Sequence, residues 1–265
     1  MNHHDLIEHV RHSLATAPAL NALFLGGSHG QGQADRFSDI DFIALAEAEH
    51  HEALAAKWRT ALEDLAPVVF WSARQGAGGY LVNAILADWT RCDLYLRPVC
   101  AFSGRARNTV QPLIDPGGIW DTLPPELPGR EPDARRVSYI IHEFIRVLGL
   151  TPVGADRGEY VLLVRGTGIL RDLLSDLMIE ECPLPERGGA LHPSRLMSAQ
   201  DMAELAALPC PAPDRDAVIA ANIAISEAFF PRARRIAARV GLDWPDAFET
   251  ATRQYLEREL GMRFA

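Results

Sequence analysis

No run of apolar residues in this chain approaches the roughly 20 that a membrane-crossing helix needs, so no membrane-spanning segment is expected. Basic residues are fewer than acidic ones, 26 Lys and Arg against 35 Asp and Glu, which leaves a formal net charge of -9. A nucleic-acid backbone is normally held on a basic face, so a nucleic-acid partner is not expected. The balance favours a small neutral or cationic partner, although net charge does not fix local patches. Cysteine is scarce: Cys92, Cys100, Cys182 and Cys210 lack zinc-ligand spacing, are too few to staple a chain of 265 residues, and read as reduced thiols. The opening residues, Met1-Asn2-His3-His4-Asp5, have neither the basic nor the apolar region of a signal peptide, and a cytoplasmic location is expected. Internal repeats and low-complexity tracts are missing too. What is present is an ordinary globular composition, 48% apolar and 23% charged, in a length that suits one large or two small domains.

The most informative stretch runs over 23–45. An apolar run, Leu23-Phe24-Leu25, stops at Gly26-Gly27-Ser28; a Gly- and Gln-rich segment then leads to Ser38-Asp39-Ile40-Asp41 and a second apolar run from Phe42 to Leu45. The pattern predicts strand, turn, strand. Gly26 and Gly27 allow backbone angles and close approach that a side chain forbids, so consecutive N–H groups can face an anion, with the Ser28 hydroxyl as a further donor. In the second strand side chains alternate, which sends Asp39 and Asp41 to one side and Ile40 and Phe42 into the core. Two carboxylates that close repel unless a cation lies between them, and oxygen ligation of this kind suits Mg2+ bridged to phosphates. A Gly-Gly-Ser turn or a solvated Asp-x-Asp is commonplace alone. Their joint occurrence, in order and between apolar strands, favours the functional reading.

At these residues the sequence resembles the nucleotidyltransferase superfamily, whose signature is Gly-Ser, a spacer, then Asp-x-Asp or Asp-x-Glu; here it stands as Gly27-Ser28 and Asp39-Ile40-Asp41. The longer form in the antibiotic-modifying branch also matches, with Ser38-Asp39-Ile40-Asp41 preceded by Gly30 and Asp35. Within the superfamily the chain looks most like the lincosamide and aminoglycoside nucleotidyltransferases, in length and in Arg157-Gly158-Glu159-Tyr160 at the opening of a helical half. The resemblance implies transfer of an NMP, with AMP the first expectation, from an NTP to a hydroxyl of a small molecule such as one of those antibiotics, with release of pyrophosphate. It also implies an ATP- or other NTP-binding transferase in which Asp39 and Asp41 hold Mg2+, a second ion included, and Gly27, Ser28 and Ser38 contact the nucleotide.

Taken in order, the chain predicts a first helix over 5–15 with Leu6, Ile7, Val10 and Leu14 on its buried face, and a strand over 20–25. His9 and His12 lie on the solvated side of that helix, and His29 inside the turn is either a nucleotide contact or loop filler. An amphipathic helix follows over 47–65, with His50 and His51 read as exposed, then strands over 68–71, 80–86 and 91–96. In the last of these the alternation buries Cys92, Leu94 and Leu96, so Arg91, Asp93 and Tyr95 share the other face. The superfamily places its third carboxylate on such a strand beside the Asp-x-Asp strand. By position that is Asp93, as general base or metal ligand, though the antibiotic-modifying enzymes commonly have Glu there. The alternative is an edge-strand Asp paired with Arg91.

Residues 110–114 are a further short strand and a short helix is expected near Trp120. Pro124, Pro125, Pro128, Gly129 and Pro132 form a stiff connector. Helices are expected over 133–148, 158–181, 201–208, 214–240 and 245–260, with a loop over 183–193. Arg232, Arg234, Arg235 and Arg239 cluster on the fourth of these as a solvated or salt-bridged face. The expected architecture is therefore α/β (α+β): a nucleotidyltransferase-type mixed sheet with helices on one face over 1–123 and a helical bundle over 130–265, facing each other across a cleft. Glu159 either binds an amine or hydroxyl of the acceptor or favours the N-terminal end of its own helix dipole. Two other functions stay open, an AMP-transferring regulator of proteins of the toxin-antitoxin kind and a nucleotide-binding protein without chemistry. ATP against GTP, the acceptor's identity and homodimerisation are not fixed by these residues.

Overall fold

The structure, a computed structural model, describes residues 2–76, 78–185 and 193–264 and divides into two compact units, Met1–Leu127 and Pro128–Ala265. None of its helices among the described residues is long and apolar enough to cross a membrane.

The first unit opens with α1 (His3–Ala15), whose N-terminus is capped by the Asn2 side chain accepting from the His4 N–H at 3.1 Å. Then come β1 (Ala22–Leu25), the single turn α2 (Gly27–Gly30), β2 (Ile40–Leu45), α3 (His51–Glu63), β3 (Val68–Gly76), β4 (Gly79–Leu86), β5 (Arg91–Arg97), β6 (Gln111–Ile114) and the short α4 (Ile119–Thr122). The strands form one mixed sheet in the order β3-β4-β5-β2-β1-β6. Only β2 and β5 run parallel; every other neighbouring pair is antiparallel.

Period-2 alternation sorts the side chains of this sheet. Ile40, Phe42, Cys92, Leu94 and Leu96 point to one face, where Leu6, Val10, Trp58 and Leu62 of α1 and α3 bury them. On the other face Phe24, Ile43 and Leu45 pack under Phe102, Val110 and Leu123, with the Phe24 and Phe102 rings stacked 4.6 Å apart. The second face is thus covered over β1 and β2 by residues 102–123, short helical turns included, while the longer helices α1 and α3 lie on the first. Over β3, β4 and β5 it carries the half-buried polar set Ser72, Asn83, Arg91, Asp93 and Tyr95.

Two departures have physical causes. β3 runs on to Gly76, past the end of its apolar signal at Trp71, because Ser72 pairs with Asn83 and Arg74 with Leu81 in the β3/β4 ladder; pairing overrides weak strand propensity. His51 is buried, not exposed: its Nε2 reaches the Ala46 carbonyl at 3.1 Å and its ring lies 6.2 Å from that of Tyr80.

The second unit is helical: α5 (Ala134–Leu148), α6 (Thr151–Asp156), α7 (Tyr160–Glu181), α8 (Pro193–Leu196), α9 (Ala199–Ala207), α10 (Arg215–Arg239) and α11 (Asp246–Leu260). Ile140, Phe144, Leu174, Leu177, Phe229, Ile236 and Leu256 form its core, with the Phe144 and Phe229 rings face to face at 3.6 Å. The helix α6 has no apolar periodicity to announce it, being too short to show one. Most of the loop expected over 183–193 lies outside the described residues. Of the four clustered arginines of α10, three are salt-bridged: Arg232, only 13% exposed, pairs with Glu181, Asp201 and Glu204, Arg234 with Glu249, and Arg239 with Glu131, while Arg235 is exposed.

Three helices of this unit are tied by buried polar groups. The Thr167 hydroxyl donates to Asn222 Oδ1 at 2.8 Å, and Asn222 Nδ2 donates to the Thr151 hydroxyl at 3.1 Å. Buried amides of this kind stabilise only while fully paired. Asn222→Ala should therefore lower the unit's stability by about 1–3 kcal/mol, measured by urea unfolding of the full chain. An unchanged midpoint would show the network to be idle.

Candidate functional site

Where β1 ends, the chain must turn sharply to reach the level of β2, and it does so through glycines. Gly27 has φ +52, and a Cβ placed on it would fall 2.0 Å from Asp41 Oδ2. A side chain at Gly26 would come within 2.9 Å of Ile43 Cδ1. The Gly26 N–H donates to the Asp41 carbonyl at 2.8 Å, so the turn is laced to the strand at the residue whose carboxylate it touches. α2 then closes through Gly30 N–H to Gly26 O at 2.7 Å. Its first N–H groups, on Gly27, Ser28 and His29, have no intrahelical acceptor. The Ser28 hydroxyl oxygen is buried and has no hydrogen-bond partner.

Across the sheet, the β2/β5 register sets Asp41 directly beside Asp93, the β5/β4 register sets Asp93 beside Asn83, and the β4/β3 register sets Asn83 beside Ser72. These residues form a polar row on the partly open face. Asn83 Nδ2 donates to Asp93 Oδ1 at 2.8 Å. Burial, and then the negative charges of Asp39 and Asp93, push the Asp41 carboxyl up to about 6, with Arg105 and Arg91 opposing. Asp93 is also raised, chiefly by burial, against the lowering effect of the Asn83 bond and of Arg91 and Arg74. Burial and the same carboxylates raise the Tyr95 phenol.

Asp39 sits just ahead of β2, with Arg91 Nη1 at 3.9 Å from its Oδ2, while Arg91 Nη2 donates to the Phe37 carbonyl at 2.7 Å. Arg91 thus holds the loop before β2 down on β5. Ser38 is buried, and its hydroxyl is engaged within that loop, donating to Asp35 Oδ1 at 3.1 Å and accepting from the Asp35 N–H at 2.9 Å. The half-buried His29 shares a hydrogen bond with His3, between its own Nε2 and His3 Nδ1 at 3.2 Å. Burial and His3 lower its pKa, while Asp39 raises it. Glu159 belongs to the second unit, exposed at the N-terminus of α7 and making no side-chain bond to that helix's N–H groups. Asn83, Ser72, Arg74 and Arg105 were not singled out by the sequence. Asn83 carried a usable signal, its parity within the strand expected over 80–86, whereas Ser72 lies past the apolar signal of β3 and carried none.

Among the described residues no three His, Cys, Asp or Glu side chains form a cluster arranged to hold a metal ion. Asp39, Asp41 and Asp93 are instead a mutually repelling acidic group. Their chemistry fits a divalent cation with oxygen ligands: burial and neighbouring negative charge raise the Asp41 and Asp93 carboxyls, and a buried Ser28 hydroxyl without a partner follows the glycine that touches Asp41.

No family model matches the chain, and no curated protein matches it either. Among solved structures, an aminoglycoside 6-adenyltransferase from Bacillus subtilis is similar at 14% identity over 95% of this chain and 95% of that one, with a TM-score of 0.43. A CCA-adding enzyme in complex with CTP is 12% identical over 96% of this chain and 69% of that one, TM-score 0.33, and a Thermotoga maritima CCA-adding enzyme complexed with tRNA gives the same values. The chemistry of the site is therefore taken from its own geometry.

The Asp41 shift has a sign that stability can read. A carboxyl whose pKa rises from 3.8 to about 6 on folding favours the folded state fully only below its unfolded value; that contribution is lost as pH rises through about 6. Asp41→Asn should therefore stabilise the protein at pH 7.5 by on the order of 1–2 kcal/mol, a gain of a few degrees in melting temperature, and the gain should vanish by about pH 4. Thermal melts across that pH range check it; a variant less stable than wild type at pH 7.5 would mean the carboxylate is well compensated.

Proposed function

We propose that this protein transfers a nucleoside monophosphate from an NTP to a hydroxyl of a small molecule and releases pyrophosphate, in a Mg2+-dependent reaction, with AMP the first group to test. The observation that supports this most is the convergence at Asp41: a glycine turn with free N–H groups on one side of its carboxylate, Asp93 beside it in the neighbouring strand.

Under this reading the N–H groups of Gly27 and Ser28 and the Ser28 hydroxyl hold the β and γ phosphates, as donors gathered at a tight turn do for anions. Asp39 and Asp41 are the carboxylates that would carry Mg2+, a second ion included, whose chemistry is to neutralise phosphate oxygens and steady the entering and leaving oxygens. Asp93 keeps one oxygen on Asn83 and offers the other to the acceptor hydroxyl. As the acceptor oxygen bonds to the α phosphorus, its proton passes to Asp93, and the bond from that phosphorus to the bridging oxygen breaks, so the electron pair leaves with pyrophosphate. Arg91 and Arg105 lie close enough to act on Asp41 and add positive charge where the triphosphate would lie. Ser38 serves this scheme by shaping the loop that delivers Asp39, since its hydroxyl is taken up by Asp35. The acceptor is small, hydroxylated and neutral or cationic, and the antibiotics named by the resemblance are the first to try.

Calorimetry should find NTP binding that needs Mg2+ and is largely lost in Asp39→Ala and Asp41→Ala; equal affinity without metal removes the metal assignment. Asp93→Asn should keep NTP affinity and lower turnover by about a hundred- to ten-thousand-fold. Turnover like wild type would place the base elsewhere, and label from α-labelled NTP appearing only on protein would replace the small acceptor with a protein side chain.

A further inference from the structure

The partly open face of the first unit has an order that the transfer reaction itself does not use. Beside the row Ser72–Asn83–Asp93–Asp41 runs a second one on the same face: Phe70 pairs with Ile85, and Ile85 with Arg91. Phe70 is 48% exposed, and Ile85 and Asn83 are half-buried. Neighbouring strands lie about 4.8 Å apart, and successive residues on one face of a strand about 7 Å apart. Starting from a hydroxyl at Asp93, the next polar side chain is one strand away, Ser72 two strands away, and the apolar pair Phe70 and Ile85 about 7 Å to the side. That is the scale of one hydroxylated ring with an apolar substituent. Asn83 spends one N–H on Asp93 and keeps a second N–H and its carbonyl oxygen for a hydroxylated partner.

The charges on this face select further. Apart from Asp41 and Asp93, the charged residues that the registers of β2, β3, β4 and β5 place there are Arg74, Arg91 and Arg97. Arg91 and Arg74 act on Asp93, and Arg97 lies 6.0 Å over the Tyr95 ring. The acidic side chains of the face are therefore those already assigned to metal and proton. None is left to pair with an ammonium group, and a cation bound here would lie against guanidinium groups.

We propose, resting on the reading of the site given above, that Phe70, Ser72, Asn83 and Ile85 form the acceptor subsite and that Arg74 makes it select an uncharged hydroxylated molecule with an apolar flank over an amine-bearing one. Asn83 and Ser72 read hydroxyls beside the reacting one, Phe70 and Ile85 take the apolar flank, and Arg74 repels amines. This narrows the neutral or cationic expectation to a neutral acceptor.

The test uses the full chain with Mg2+ and α-labelled NTP, and two acceptor sets: uncharged alkyl glycosides and thioglycosides, and aminocyclitols with two or more amines. Mg2+-dependent NTP binding is measured separately, so failure of the site reading is seen there, before any acceptor is added. The uncharged set should be labelled preferentially. Phe70→Ser, on an exposed side chain, should raise KM for the uncharged acceptor about tenfold with KM for NTP unchanged, a loss that corresponds to about 1.4 kcal/mol. Arg74→Glu should raise labelling of the aminocyclitols by about tenfold. With NTP binding intact, labelling of the cationic set alone or of neither set overturns the proposal, as does a Phe70→Ser variant whose KM for the acceptor is that of wild type.

Discussion

The site depends on one contact that admits no substitute: the Asp41 carboxylate lies where a side chain on Gly27 would be. Gly27 also takes φ +52, which costs most residues strain, so two independent demands fall on the same position. The bond from Gly26 N–H to Asp41 O adds a third tie between the turn and β2. Because the turn is fixed to the strand, donors and carboxylate keep their separation without help from any loop. Strand pairing carries that precision onward, since Asp93 and Asn83 stand in register with Asp41 across hydrogen-bonded strands.

That arrangement concentrates negative charge on a partly buried face. Burial and like charge push Asp41 up to about 6, and Arg105 and Arg91 reduce the repulsion without cancelling it. The second unit handles charge differently. Arg232 is nearly buried, but Glu181, Asp201 and Glu204 surround it, and Glu249 is buried against Arg234, Arg253 and the Trp244 N–H. Charges there are matched within the fold; at Asp41 the arginines offset burial and like charge only in part. A raised carboxyl beside a glycine turn and a second carboxylate is a functional-site candidate.

The carboxylates and their face were legible in the sequence because period 2 is a local property. Cys92, Leu94 and Leu96 alternate with Arg91, Asp93 and Tyr95, and burial follows that alternation residue by residue. Partners across strands were not legible. Nothing in the spacing says that Asn83 stands beside Asp93, for that comes from the β4/β5 register, nor that Ser72 continues the row, for its strand has a weak propensity signal that only the ladder with β4 overrides. His51 misled for a related reason: a polar residue at a helix start reads as solvated, but the packing of α3 against β4 buries it beside Tyr80. The engagement of the Ser38 hydroxyl with Asp35 was not legible either, since a hydroxyl that closes its own loop has the same sequence as one that does not.

The register also bears on what an Asp, in place of the longer Glu, does at 93. With Oδ1 held by Asn83 at 2.8 Å, Asp93 has a single oxygen free to face Asp41 and the open side. A base needs only one oxygen, and fixing the other removes rotamers that would point the carboxylate elsewhere. Bidentate metal ligation needs both. A Glu side chain, one methylene longer and with one more rotatable bond, would reach farther but lose the short tether to the adjacent strand. Under the proposed reaction the Asn83 bond suits Asp93 to accept a proton better than to serve as a two-oxygen metal ligand, and it makes the shorter side chain the one better oriented on this sheet.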